Sequence, residues 1–388
     1  MPKRASASGK LVCLIYDDAL RTVFEWAAKE FAGVADGLAI DVRTVPLSGL
    51  DDGRQAKADV VLLPSWAVSR AARRGTIIPA EDAMPGGAAN AARVLPRILQ
   101  LTQSDGKLWG FPLLVGGHFL AAEKALLAQY GVAADSLTRV EDVLDVVERA
   151  SAARAWQPGK ALFNIAVPVN LMIATALSYP GAKHIPMCLA HADRQSIFER
   201  IKALTMAEGV EYKRFDEEDT FQPDRYRVLH ALSGTLCRTV LRDPAWQLLP
   251  VPTTGDGTVP LATHSLCVST RSARPIQSWE WINAMGSALA ATRLAALGYD
   301  LPVSTDPEPW KAFGGIVGSG NADLFRRLLD RPNPMYGMWK EDVPAFLSKV
   351  LYAEIHRFMV GQQSYEEMLH LVRQKTELFL KADAPAPA

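Results

Sequence analysis

Four places in the sequence carry side chains whose types and spacing can do chemistry. The first is Asp17-Asp18, directly after the apolar run KLVCLIY. Carboxylates there can accept hydrogen bonds from hydroxyl groups, or one of them can cap a following helix that contains Val23. The second is Trp66, just past DVVLLPS. A flat indole face suits the C–H groups of a sugar ring, and it serves equally well packed beneath the next helix. The third is His264, a polar residue inside an apolar extended stretch. It is either a core histidine with satisfied nitrogens or a ligand contact. The fourth is His184, Cys188 and His191 with Asp193 nearby, which are metal-ligand types in H-x3-C-x2-H spacing. A structural zinc site wants four well-placed ligands, so a loop followed by a helix start is the plainer reading.

Catalytic signatures are missing. The sequence contains no G-x-S-x-G, no H-E-x-x-H and no Walker A pattern. GGIVGSG, residues 314–320, lacks a Gly-Lys-Ser/Thr ending and reads as a flexible loop. Acidic residues are plentiful, yet no spacing singles out a glycosidase pair. The sequence speaks of binding rather than of catalysis, and it points to no cofactor and no metal.

The elements that must position these residues follow from length and periodicity. With 388 residues the chain is too long for one ordinary core, so two or three lobes are expected. Lys plus Arg equals Asp plus Glu, 42 each, which argues against a nucleic-acid partner. The four cysteines, Cys13, Cys188, Cys237 and Cys267, form no C-x-x-C; buried free thiols are the expectation, with a disulfide left open. The start MPKRASASGK is basic but has no apolar segment, so the expectation is an exported protein whose leader is missing from this chain, or a cytoplasmic one. The apolar stretch 161–177 is interrupted by Asn164, Pro168 and Asn170 and does not span a membrane.

Residues 10–16, 38–45 and 59–63 read as strands with helices between and after them, an α/β lobe with a largely parallel sheet. Residues 104–132 read as a turn at Asp105-Gly106, an extended segment stiffened by Pro112, a pivot at Gly116-Gly117, and a helix over 119–130 that stops at Gly131. Thr138-x-x-Glu141 predicts a capping box, and so does Ser364-x-x-Glu367. Residues 151–240 read as mostly helical, 246–252 and 265–269 as strands, 279–298 and 344–380 as helices. Two extended blocks separated by a helical insert describe a two-lobed chain that crosses between lobes more than once. A cleft between lobes is then the favoured ligand site.

Four stretches, in this order, resemble the extracellular solute-binding proteins of ABC transporters, the family-1, maltose-binding-protein-like group that binds sugars and oligosaccharides. They are DVVLLPSWAVSRAARRG (59–75), DGKLWGFPL (105–113) with the AEKALLAQYGV and TRVEDVLDVVERA segments behind it, LLPVPTTGDGTVPLATHSLCVS (248–269), and GQQSYEEMLHLV (361–372). Two departures stand out. Ala122-Glu123-Lys124 replaces the usual Tyr-Asn-Lys, and Val140 stands where a Trp is common.

The resemblance implies an α/β, two-lobed periplasmic-binding-protein-like fold of the class II type. It implies an N-terminal lobe of residues 1–112 plus 260–305 and a C-terminal lobe of 113–259 plus 306–388. It further implies a monomeric, non-enzymatic receptor outside the cytoplasm that hands a small solute, a carbohydrate first of all, to ABC permease subunits. Carried over by position, the ligand-facing residues are Asp17, Asp18, Ser65, Trp66, Gly117, His118, Thr263, His264 and Ser265, with Asn170, Ser233 and Trp339 from the second lobe. The family position tips His264 toward the cleft. A cytoplasmic ligand sensor on the same fold is the rival expectation, and an enzyme the third.

Overall fold

The computed structural model describes residues 9–383, apart from 36, 48–49, 51–57, 85–86, 155–160, 165–181, 206, 208–209, 212–223, 251–260 and 331–342. In chain order the described strands are β1 (Lys10–Ile15), β2 (Ala39–Thr44), β3 (Val60–Pro64), β4 (Ile77–Ile78), β5 (Gln103–Ser104), β6 (Lys107–Leu108), β7 (Phe111–Glu123), β8 (Ala161–Asn164), β9 (Val210–Glu211), β10 (Tyr226–Leu232), β11 (Trp246–Leu248), β12 (Leu261–Ser269) and β13 (Leu301–Pro302). The chain divides into two compact units. One comprises Met1–Gly116 and Ala262–Ala322, the other Gly117–Leu261 and Asp323–Ala388.

In the first unit the strands run β2-β1-β3-β12-β7, with β1 parallel to both β2 and β3 and β12 antiparallel to β3. All five residues of β3 are buried, as expected of a central strand covered on both faces. On one face Leu14, Val61, Leu63, Ala67, Val68 and Ile77 form a contiguous cluster with Cys267. Phe24 packs its ring 6.2 Å from that of Trp281, and the Trp279 indole N–H donates to the Ile78 carbonyl at 3.3 Å. The apolar spacing of Val23, Phe24 and Ala27 makes Arg21–Glu30 amphipathic, and these three residues are the ones it buries.

The same sheet settles the disulfide question for two of the thiols. Cys13 is aligned with Val60 and Cys267 with Val61. Successive strand residues point to opposite faces, so these two side chains point apart and cannot bridge. All four cysteines are buried and none is in a disulfide, and burial pushes the Cys13 and Cys267 thiols far above their ordinary range. The native protein is therefore expected to give no reaction with Ellman's reagent, and four equivalents after denaturation. A fast-reacting thiol in the native protein would contradict this burial.

In the second unit β7, β10, β8 and β9 lie side by side, with β11 on the other edge of β7. Helices Ala192–Leu204, Tyr352–Met359 and Tyr365–Asp383 meet through the rings of Phe198, Phe358 and Tyr365, whose centroids lie 5.4–6.3 Å apart. Ser364 and Glu367 form the predicted box: the Ser364 N–H donates to the Glu367 carboxylate at 2.7 Å, and the Glu367 N–H to the Ser364 hydroxyl at 3.2 Å.

Several elements differ from what local pattern predicts. Residues 119–123 are strand, and only Lys124–Gln129 is helical. Antiparallel pairing of Phe119–Ala122 with β10 overrides the local helical spacing. The mostly helical stretch 151–240 contains β8, β9 and β10. The first capping box is shifted by one residue, since Asp142 and not Glu141 accepts from the Thr138 and Arg139 N–H groups at 3.0 and 2.8 Å. GGIVGSG is not a loop: it joins helices Pro307–Val317 and Ser319–Leu329 through Gly318, whose φ of 87° only glycine adopts readily. The helix over 344–380 is interrupted after Met359, with Gly361 at φ 76°. No described helix is long and apolar enough to cross a membrane.

Candidate functional site

Parallel β1 and β3 end at the same edge of the first unit, and antiparallel β12 begins there, with His264 paired to Pro64. That register collects Tyr16, Asp17, Asp18, Ser65, Trp66, Thr263, His264 and Ser265. In open α/β sheets the carboxyl ends of the strands are where ligands bind.

Asp17 does two things there. Its Oδ1 accepts the Ala19 N–H at 2.8 Å, capping the short helical turn Asp18–Leu20, and its Oδ2 accepts the Tyr299 hydroxyl. Asp18 is exposed and accepts from the Thr44 hydroxyl at 2.5 Å. His264 is bonded on both ring nitrogens: Nδ1 meets the Tyr16 hydroxyl, and Nε2 lies 2.9 Å from Asp300 Oδ2. Its ring stacks on Tyr16 at 5.7 Å and meets the edge of Tyr299 at 5.5 Å. Beneath it Ser65, Thr263 and Ser265 are fully buried. The Thr263 N–H donates to the Ser65 hydroxyl at 3.2 Å, and the Thr263 and Ser265 hydroxyls share a hydrogen bond of 2.6 Å. Each of the three hydroxyls takes part in a hydrogen bond within the group. Trp66 is half-buried and packs against the Leu63 cluster, with the Arg70 guanidinium 5.6 Å from its ring centroid.

In the second unit Gly117 and Ser233 come together, the buried Ser233 hydroxyl accepting the Gly117 N–H at 3.2 Å. Gly116 and Gly117 lie inside one continuous strand, so the pair is not a break in the chain. At Gly116 an added Cβ would stand 2.5 Å from Asp300 Oδ2; close approach requires the glycine there. The Ala122-Glu123 departure also has a physical partner. Glu123 pairs with buried Arg227 of β10 at 2.8 Å, and Ala122 is buried without remainder. Asn170 and Trp339 lie outside the described residues. Among the described residues no group of three His, Cys, Asp or Glu can hold a metal ion, and Cys188 is buried while His191 is exposed beside Asp193.

His118, on β7 next to the Gly117–Ser233 contact, is half-buried, and burial pushes it down from 6.5 to about 4. Between those values the unfolded chain binds the proton and the folded chain does not. Stability is therefore lost as pH falls from 6.5 toward 4, by about 3 kcal/mol in all. His118→Gln is expected to remove this slope; urea midpoints at pH 7 and pH 4.5 for both proteins check it, and equal acid sensitivity would refute it.

Three residues of the first-unit cluster escaped the sequence reading: Tyr16, Tyr299 and Asp300. Tyr16 had a signal, since it precedes Asp17-Asp18 at a strand end. Tyr299 and Asp300 had none, because their partners Asp17 and His264 lie 282 and 36 residues away. A separate cavity of about 260 Å³, lined by Leu63, Arg70, Arg74, Ile77, Ser269 and Arg271 among others, reaches toward the opposite end of β12 and includes none of the candidate residues.

No protein-family model matches the sequence, and no curated protein matches it. Solved structures match it by fold. The sugar-binding protein MalE from Xanthomonas citri is 17% identical over 96% of this chain and 98% of its own, with a TM-score of 0.75. The GacH receptor of Streptomyces glaucescens, solved unliganded and with acarbose, is 15% identical over 96% and 99%, with a TM-score of 0.73. UgpB from Mycobacterium tuberculosis, in complex with glycerophosphocholine, is 11% identical over 97% and 99%, with a TM-score of 0.74. The chain thus has the mixed α/β periplasmic-binding-protein-like fold of MalE-type solute-binding proteins, along nearly its whole length.

Proposed function

We propose that the protein is the solute-binding component of an ABC importer, that it works outside the cytoplasm with permease subunits as partners, and that it captures its ligand without changing it chemically. The ligand is a small polar solute, a sugar or oligosaccharide in the first place. The observation that carries this reading is the fold match over 96% of the chain to sugar-binding proteins. The cluster at the strand ends supports it: aromatic rings and carboxylates from Tyr16, Asp17 and Tyr299 suit a ligand that presents C–H faces and hydroxyl donors.

The test is thermal unfolding against a panel of mono- and oligosaccharides, with glycerophosphocholine as comparison. A sugar present at a hundred times its dissociation constant adds about 2.7 kcal/mol, a clear rise in melting temperature. A response to glycerophosphocholine alone would move the ligand class. Silence across the panel, or turnover of a bound sugar on chromatography, would sink the reading.

A further inference from the structure

The hydrogen bonds that join Asp300, His264 and Tyr16 have a direction. An ionised carboxylate only accepts. The atom that faces Asp300 Oδ2 at 2.9 Å is Nε2 of His264, so that nitrogen carries the hydrogen. A neutral imidazole has one N–H, which leaves Nδ1 with a lone pair. The Tyr16 hydroxyl meets Nδ1, and the hydrogen between them is then the phenol's own. In that neutral form Tyr16 donates inward, and its oxygen keeps lone pairs alone for anything else that reaches it.

We infer that His264, oriented by Asp300, is a positioning residue that makes Tyr16 an obligatory hydrogen-bond acceptor toward the solute, so that the solute group at this point must be a donor, a hydroxyl or an ammonium. This deepens the solute-binding reading and rests on it for Tyr16's role in ligand contact; the proton direction itself does not. A phosphate, carboxylate or ether oxygen placed there would set lone pair against lone pair. Tyr16 directly follows β1 and is half-buried, at the edge where the strands terminate. The relay is held rigidly: His264 is stacked on Tyr16, and its neighbours Thr263 and Ser265 are tied to each other and to Ser65. Burial first, then the neighbouring Tyr299 and the carboxylates of Asp300 and Asp17, push Tyr16 well above its ordinary range, so it stays a phenol with a proton to give.

Two measurements on the full chain test this. The first is two-bond proton–nitrogen correlation NMR of the ¹⁵N-labelled protein at neutral pH, with His264 assigned by difference from His264→Gln. The neutral Nε2–H tautomer is expected in the wild type and also in Tyr16→Phe, because Asp300 and not Tyr16 sets it. An Nδ1–H tautomer or an imidazolium would overturn the relay, whatever the ligand. The second is calorimetry with maltose and its monodeoxyfluoro series, in which fluorine replaces a donor by a group that cannot donate. One position is expected at which fluorine costs the wild type about tenfold in affinity and costs Tyr16→Phe nothing further. A maltose series with no such position overturns the donor requirement. So does binding of glycerophosphocholine through its phosphate that Tyr16→Phe weakens. If maltose does not bind at all, the sugar reading suffers and the tautomer still decides the relay.

Discussion

Gly116→Ala is expected to lower the free energy of unfolding by about 1–3 kcal/mol, although it adds a single methyl group to a strand. The new Cβ would stand 2.5 Å from Oδ2 and 3.2 Å from Cγ of Asp300. Neither side can retreat cheaply. The strand is held by pairing of Val115 with Leu301 and of Leu114 with Pro302 on β13, directly after Asp300 in the chain. The carboxylate is 5% exposed and is bonded to His264. Moving it breaks a buried hydrogen bond to a charged group. A double-mutant cycle checks the cause: Asp300→Ala removes the atoms in conflict, so Gly116→Ala added to it should cost less than it costs alone. Strictly additive losses, or a loss of Gly116→Ala below about 0.5 kcal/mol, would show that the close approach is not what requires glycine.

Glu354 is the second position of large effect. Its side chain is fully buried, and it accepts from Lys375 at 2.5 Å and Arg357 at 3.2 Å, while Gln363 donates to its backbone carbonyl at 2.6 Å. Glu354 is on helix Tyr352–Met359 and Lys375 on Tyr365–Asp383, so the carboxylate ties the two together. The three residues are unequal because their surroundings are. Glu354→Ala empties a buried site and is expected to cost about 3 kcal/mol. Lys375, 34% exposed, leaves a buried carboxylate with other donors when changed to Met, at about 1–2 kcal/mol. Arg357, 50% exposed, is solvated in any case, and Arg357→Met should fall below about 1 kcal/mol. Urea denaturation of the three variants gives the order; a loss for Arg357→Met as large as that for Glu354→Ala would mean the clamp is wrongly assigned.

Both positions show what kind of fact a sequence holds. Glu354 reads locally as one more acidic residue on an amphipathic helix, and Gly116 as a freely rotating pivot. Their roles come from Lys375, 21 residues on, and from Asp300, on a distant segment. The candidate site divides the same way. A cap at Asp17 or Asp18 was legible, because the bond from Ala19 to Asp17 spans two residues, but it closes the short turn Asp18–Leu20, and the helix with Val23 has no side-chain cap. Ser65, Thr263 and Ser265 are expected from the sequence as ligand contacts, and only folding shows that they are buried and hydrogen-bonded to one another. The order of motifs from near residue 11 to near residue 380 carried the fold class, since β1, β2, β3 and β12 are each short runs whose apolar character is visible without their partners.

By itself, then, the sequence determined what rests on neighbours within a turn or a strand: the parallel βαβ start, a cap at Asp17 or Asp18, and the Ser364–Glu367 box. The tertiary structure alone decided what rests on distant partners. Residues 119–123 are strand because β10 supplies the hydrogen bonds, more than a hundred residues later in the chain. His264 is part of a directed relay because folding brings Tyr16, 248 residues away, to its Nδ1 and Asp300 to its Nε2. Local propensity is worth tenths of a kcal/mol per residue, whereas pairing and burial of whole strands are worth several, so where the two disagree the distant partners prevail.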